Sequence, residues 1–351
     1  MAYSSIVKPT DYFNTVLYTG TGSSQDISVG FQTDWTWIKD RDSTENHNIF
    51  DTVRTATKRI SSNRNNTEDT QAQQLTAFGS NGFTVGTDSG ANHSGRNYVS
   101  WNWLAGGTAS SNTDGDITSS VSVNTTAGFS IVSYTGNGSN STIGHGLGAV
   151  PRWIIVKVRD ATNNWVVQHG SLGATKRMLL DTTNASASAS TFFNNTEPTS
   201  SVFTVGTEDI TNNSGSDFIA YCFAEKKGYS KFGSYTGNGN ANGTFTYTGF
   251  KPAFLMFKVS STTENWYIID NKRAPNNDSR NYPDFIPLLY PNLNNAEGFL
   301  NDEVDLYSNG FKPRGTNSAH NTSGATYIYM AFAENPFVAN DSGTAVPVTA
   351  R

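Results

Sequence analysis

Seven carboxylates stand among the residues best able to do chemistry: Asp40, Asp42, Asp51, Asp160, Glu225, Asp270 and Glu334. Glycoside hydrolysis uses two such groups about 5 to 9.5 Å apart, one as acid and one as base or nucleophile. Glu225 and Glu334 fall at matching places in the chain, but Ala105 stands at the third such place. Asp40 and Asp160 nearly match, and Ser260–Ser261 replaces them later. The spacing selects no pair, so no catalytic residue is assigned. Cys222 lies inside an aromatic strand, as a small buried apolar side chain would. No G-x-S-x-G turn presents a serine. The five histidines, His47, His93, His145, His169 and His320, form no H-E-x-x-H pair. The expectation is a non-enzyme without metal or cofactor.

Aromatic residues offer different chemistry. Trp165 and Trp266 follow Asn in the polar turns TNNW and TENW, 101 residues apart. Rings in polar turns could form a shallow sugar-binding platform, so these two are the expected ligand-binding residues. Capping a sandwich core is the structural alternative for both. Trp35, Trp153 and Phe254 have apolar neighbours and read as core.

The elements that must position these residues are strands. Hydrophobic residues are 36% of the 351 and charged residues 15%, yet 12% are aromatic. That mixture favours short strands joined by Gly, Ser, Thr and Asn turns, not disorder. Trp35, Trp37 and Lys39 alternate with Thr36 and Ile38, and Val99, Trp101 and Trp103 do likewise, the period of a sheet. A short helix is expected near Leu288–Gly298. The opening MAYSSIVKPTDYFNTV lacks the charged start and apolar run of a signal peptide, and no run is long enough to span a bilayer. A net charge of −5, from 24 basic and 29 acidic residues, provides no basic face for nucleic acid. One cysteine excludes an internal disulfide.

The chain repeats itself. Tyr-Thr-Gly-x-Gly occurs at Tyr18–Gly22, Tyr134–Gly138 and Tyr235–Gly239, 116 and then 101 residues apart. Strands ending at Lys39, Lys157 and Lys258 follow, 118 and 101 apart, and ATKR recurs at Ala56–Arg59 and Ala174–Arg177. Later come NGFTVGT, SVFTVGT and NGFKPRGT, then turns at Asn92, Asn213 and Asn321, then closing strands from Tyr98, Phe218 and Tyr327. The expected architecture is all-β: three tandem antiparallel β-sandwich-like domains of about 100 residues. The expected boundaries are an N-terminal segment 1–17, units 18–107, 134–227 and 228–337, a Ser/Thr/Asn-rich connector 108–133 and a tail 338–351. Within the connector, Ile117–Val123 alternates like an edge strand. Removing the first unit at the connector is expected to leave a folded remainder, whereas units two and three should pack directly.

Three stretches carry a resemblance: the opening MAYSSIVKPTDYFNTVLYTG, the middle SKFGSYTGNGNANGTFTYTGFKPAFLMFK and the ending YIYMAFAENPFV with its final TAR. They resemble a family of tail-fibre-like virion structural proteins of tailed bacteriophages, including cyanophages and other aquatic phages. The resemblance spans essentially the whole chain but brings no functional residue with it. It implies a non-catalytic tail fibre or tail-associated adhesion component, assembled in the host cytoplasm and resident in the virion. Its partners would be other virion proteins, further copies of itself and a host surface polysaccharide, with neither nucleic acid nor membrane insertion. Residues 1–17, with Pro9, Tyr12 and Phe13, are the expected docking segment. The alternatives are a capsid decoration protein bound to the major capsid protein and, from another class, a glycan-degrading β-sandwich enzyme.

Overall fold

The computed structural model describes residues 4–273, 285–301, 304–336, 338–341 and 344–347. The chain is an all-β protein of antiparallel sheets, and twelve strands carry its architecture. β1 (Phe13–Thr19), β2 (Trp35–Asp40), β3 (Asn48–Asp51) and β4 (Asn97–Trp103) pair in the order β1-β4-β2-β3. β5 (Phe129–Thr135), β6 (Pro151–Val158), β7 (Val166–His169) and β8 (Asp217–Ala224) pair as β5-β8-β6-β7. β9 (Ser230–Thr236), β10 (Phe250–Val259), β11 (Tyr267–Asp270) and β12 (Thr326–Pro336) pair as β9-β12-β10-β11. Register agrees as well: Trp35 faces Trp103, Trp153 faces Phe223 and Phe254 faces Phe332.

Both faces of these sheets are covered, which is why β2 is buried along its whole length despite its alternation. One set of alternate residues meets an outer sheet. In the first unit Gln25–Ser28 and Leu75–Gly79 flank Gly82–Val85, and Ile38, Phe50, Phe83 and Tyr98 pack between the layers. Ser141–Gly144 with Val202–Val205 covers the second inner sheet, and Thr246–Tyr247, Gly310–Pro313 and Val304–Tyr307 cover the third.

The other set meets a single core common to all three inner sheets, holding Trp35, Trp101, Trp103, Phe129, Trp153, Tyr221, Phe223, Phe254 and Phe332. Rings touch across each junction: Trp35 on Tyr221 at 4.6 Å, Trp153 on Trp266 at 6.0 Å, and Trp103 on Phe254 at 5.7 Å between centroids. Burying one such side chain contributes about 1.5–3 kcal/mol, so the common core is a large share of what holds each sheet in place.

The Tyr-Thr-Gly-x-Gly turns lock the first strand of each inner sheet to the turn before its last. The Tyr18, Tyr134 and Tyr235 hydroxyls donate to the carbonyls of Ala91, Thr211 and His320 at 2.8, 2.7 and 2.8 Å. Buried Asn92, Asn212 and Asn321 each accept the backbone N–H of Thr21, Asn137 and Asn238 at 2.8, 2.9 and 2.9 Å. The second unit thus uses Asn212, one residue before the Asn213 expected from the motif. Gly20, Gly136 and Gly237 are required by close approach. A Cβ there would come within 2.2, 2.4 and 2.3 Å of a backbone oxygen.

Three expectations are corrected, and the tail gains detail. The stretch 108–133 is folded: Ser110–Asn112 and Ser119–Asn124 extend the second inner sheet beyond β5, with Ser122 paired to Ile131. Ile117–Val123 was therefore the informative part of that segment. No helix forms at Leu288–Gly298: Leu288 and Gly298 pair as strand residues, and the loop between them is held to the first unit, where Ser62 Oγ donates to Pro291 O at 2.7 Å. Residues before Tyr18 are not a free segment, since β1 begins at Phe13 and Ser4, Ile6 and Pro9 are buried. The tail begins with a hairpin, Val338–Asp341 paired with Thr344–Pro347, and its remaining residues, like Phe337, lie outside the described ones.

Candidate functional site

Several of the residues that sequence offers for chemistry, Asp51, Asp160, Trp165, Trp266 and Asp270, lie at three seams between the inner sheets. All three seams share a backbone hydrogen bond at the same place. Glu68 N donates to Arg159 O at 2.7 Å, Ser186 N to Ser260 O at 2.8 Å and Glu297 N to Arg41 O at 2.7 Å. The first joins the first sheet to the second, the next the second to the third, and the last the third back to the first. The arrangement is a closed ring.

At two seams the same residues add a forked ion pair. Arg159 Nε and Nη2 donate to Glu68 at 3.0 and 3.1 Å. Arg41 Nε and Nη2 donate to Glu297 at 2.9 and 2.7 Å. Paired planar groups of this kind fix orientation as well as distance. Ser186 and Ser260 put no charge at the remaining seam.

Deeper in, Asp51 and Arg54 pair at 2.5 Å with both side chains fully buried, and Arg54 reaches Glu68 at 3.1 Å. Tyr221 of the second sheet donates to Asp51 Oδ2 at 2.7 Å. Asp270 and Arg273 pair likewise at 2.6 Å, Arg273 reaches Glu297 at 3.1 Å, and Trp101 Nε1 donates to Asp270 Oδ2 at 3.0 Å. The Arg273 guanidinium lies 5.5 Å from the Trp101 ring centroid. Burial works to raise the Glu68 carboxyl, but Arg159 and Arg54 hold it below its ordinary range. In the second unit, His169 and Leu172 occupy these places. His169 Nε2 lies 3.5 Å from the Tyr329 carbonyl, and burial pushes its pKa down to about 3.

Three buried lysines, Lys39, Lys157 and Lys258, stand one residue before the ends of β2, β6 and β10. Lys39 Nζ donates to the carbonyls of Asp40 and Ser43 at 2.6 and 3.0 Å. Lys157 Nζ reaches Val158 O at 2.8 Å and, across the seam, Asn65 O at 3.4 Å. Lys258 Nζ reaches Glu264 O at 2.5 Å and, across the seam, Thr183 O at 2.9 Å. Burial pushes all three down to about 8.

Trp165 and Trp266 belong to the same seams, and the exposure expected of them is corrected. Both are fully buried. Trp165 Nε1 donates to Ser61 O at 2.9 Å, and Trp266 Nε1 to Leu179 O at 2.8 Å, each on the neighbouring sheet. His47, placed 118 residues before Trp165, accepts from Trp37 Nε1 at 2.8 Å. Pro9 and Phe13 are buried, with Phe13 stacked on Phe332 at 5.1 Å. Tyr12 stands edge-on to Tyr229 at 6.1 Å. They tie the start of the chain to its last unit.

A cleft of about 340 Å³ opens at the first seam, lined by Thr67, Glu68, Arg159, Asp160 and Asp217. Of the seven carboxylates singled out from sequence, only Asp160 lines it, and its Oδ2 accepts Asp217 N at 3.1 Å. Asp51 and Asp270 are consumed by arginines. Asp40 accepts from Arg96 at 3.1 Å, while Glu225 and Glu334 pair with Lys231 and Lys251 at 2.7 and 2.9 Å. Buried Cys222 has its thiol pKa pushed up by burial. Among the described residues, no three His, Cys, Asp or Glu are placed to hold a metal ion.

The body so described, from just before Pro9 to the end of β12, coincides with a known family. A family model for DUF7483, a domain of unknown function, matches residues 8–336. The chain belongs to the DUF7483 family. No curated protein matches it. One DUF7483 domain therefore spans all three inner sheets, in keeping with their common core. Sequence reasoning missed the Asp51–Arg54 and Asp270–Arg273 pairs, although DTVR and DNKR carry the same Asp-x-x-Arg spacing.

Proposed function

We propose that this DUF7483 chain is a non-catalytic structural protein of a tailed-phage virion, a tail fibre or tail-associated adhesion component that contributes to host-surface recognition. One observation carries the reading: several of the groups best able to do chemistry are spent on joining sheets. Asp51, Asp270, Trp165 and Trp266 are buried in seams, each with partners on its own or the neighbouring sheet. A body closed in this way is a rigid module suited to mechanical display. The resemblance of the opening, middle and closing stretches to tail-fibre-like virion proteins supplies the location. Virion proteins and further copies of the chain are the partners that this reading names.

The deciding experiment is a cryo-electron microscopy map of the particle, with copy number measured by quantitative mass spectrometry. Tens of copies or fewer, projecting from the tail, are expected. Hundreds of copies spread over the capsid lattice would replace the reading with that of a decoration protein.

A further inference from the structure

The outward face of the third outer sheet is unlike the other two. Tyr247 and Tyr307 both lie opposite Gly310, and Asp305 lies opposite Lys312. Phe245, Tyr247 and Tyr307 are 45%, 61% and 38% exposed. Phe245 stands edge-on to Tyr307 with centroids 5.9 Å apart. It also lies over Gly310, where an added Cβ would come within 2.9 Å of its ring. The Tyr307 hydroxyl donates to Asp305 Oδ2 at 3.0 Å.

The other two outer sheets act as internal controls. In the first, Ser28 faces Gly82 and Asp26 faces Thr84, the places of Tyr247 and Phe245, with Gly79 in the place of Tyr307. In the second, Thr142 and Gly144 occupy the matching positions. The frame is built twice without outward rings, so the fold does not require them. Exposed aromatic residues gathered on one face mark a site of contact.

We propose that this face binds an acidic polysaccharide, and the inference rests on the adhesion reading above. Ring faces take the C–H faces of a sugar, while flanking amides and charges fix its orientation. The neighbouring loop GNGNANG, residues 237–243, presents amides, and Asn242 Oδ1 accepts from Lys312 Nζ. Arg314 neutralises Asp305 at 3.3 Å. Among the described residues, Lys312 is thus the charge on this face that is held by a neutral group. A sugar carboxylate in place of the Asn242 oxygen would gain a charge-assisted hydrogen bond.

The test uses the full chain with alginate, a uronate polymer, and dextran as a neutral comparison. Wild type should bind alginate in preference to dextran. Phe245→Ala and Tyr247→Ala should each weaken alginate binding about tenfold, and Lys312→Gln should remove the preference. Melting temperatures should stay close to wild type. No alginate binding by wild type, equal binding to dextran, or unchanged affinity in both ring variants would each overturn the proposal. Loss of self-association in Tyr247→Ala, with alginate binding intact, would assign the face to a second copy instead. Unchanged ring variants on a tail-located chain would sink only this site, whereas capsid location would sink the adhesion reading whatever the rings do.

Discussion

Tyr221 and Asp51 lie 170 residues apart in sequence, on different inner sheets, and their side chains meet at 2.7 Å in the common core. Trp101 and Asp270 make the corresponding contact between the first and third sheets at 3.0 Å. Each carboxylate also holds a buried arginine, so a seam and a buried charge depend on one another.

Arg54→Ala should therefore be severe. It leaves the fully buried Asp51 carboxylate without its cation, and breaking a buried pair in this way costs about 3–5 kcal/mol. Denaturant unfolding of Arg54→Ala and of Arg273→Ala should show losses of that order. A change under about 1 kcal/mol in both would contradict the account of the seams.

The seam formed by Ser186 and Ser260 provides the converse experiment. Ser186→Glu together with Ser260→Arg should recreate the forked pair found at the other two seams. A double-mutant cycle should give a favourable coupling of about 0.2–1 kcal/mol, the range for partly exposed ion pairs. Zero coupling would show that the serine seam differs in backbone geometry as well as charge.

Unfolding should be one cooperative event. Because Trp35, Trp153 and Phe254 face the same core, removing any unit bares the apolar faces of the other two. Calorimetric and van't Hoff enthalpies should agree, and a fragment beginning at residue 108, which keeps every strand of the second inner sheet, should fail to fold. This replaces the expectation of a folded remainder. Two resolved transitions would restore it.

Deleting residues 1–17 removes most of β1, so lost incorporation into particles would not by itself identify a docking segment. Phe13→Ala alone, which vacates space between Trp103 and Phe332, should destabilise by about 3–5 kcal/mol. A stable Phe13→Ala protein absent from particles would instead support docking through this residue.

Stability should fall in mild acid. Burial lowers the pKa values of His47, His145, His169 and His320, to about 3 for His169 and about 4 for His320. The unfolded chain binds these protons below about pH 6.5 while the folded chain does not, so stability present above that pH drains away toward pH 4. Lys39, Lys157 and Lys258, lowered to about 8, act with the same sign at higher pH. Stability should rise from about pH 8 until buried Tyr134, Tyr221 and Tyr229, whose pKa values burial raises, reverse the trend above about pH 10. Melting temperature across pH 4–11 checks both arms, and a flat profile from 7 to 4 would discount the histidines.

Strand positions were legible because alternation and turn chemistry are local. Trp35, Trp153 and Phe254 were readable as core for the same reason. Trp165 and Trp266 were not, since Asn-Trp in a polar turn looks exposed unless the neighbouring sheet is known to cover it. The burial of His320 was hidden likewise, because its turn is polar in sequence yet closes over a core. The stretch 108–133 has the composition of a linker, but its Val121 and Ser122 find an open edge at β5 to pair with. The exposure of Phe245, Tyr247 and Tyr307 was not legible, because aromatics in and beside strands read as buried. Their exposure shows that they face outward, and comparison with Asp26, Ser28 and Thr142 shows that the fold does not require them.

The order β1-β4-β2-β3 has a consequence for synthesis. In every inner sheet the strand translated last is inserted between two made earlier, and β12, ending at Pro336, is the final one. The third inner sheet therefore cannot be completed until β12 leaves the ribosome, since β12 alone bridges β9 and β10. The seam from Glu297 back to Arg41 waits almost as long. Until then the tryptophans of the first sheet have no partners in the third, leaving a sticky intermediate for chaperones to shield.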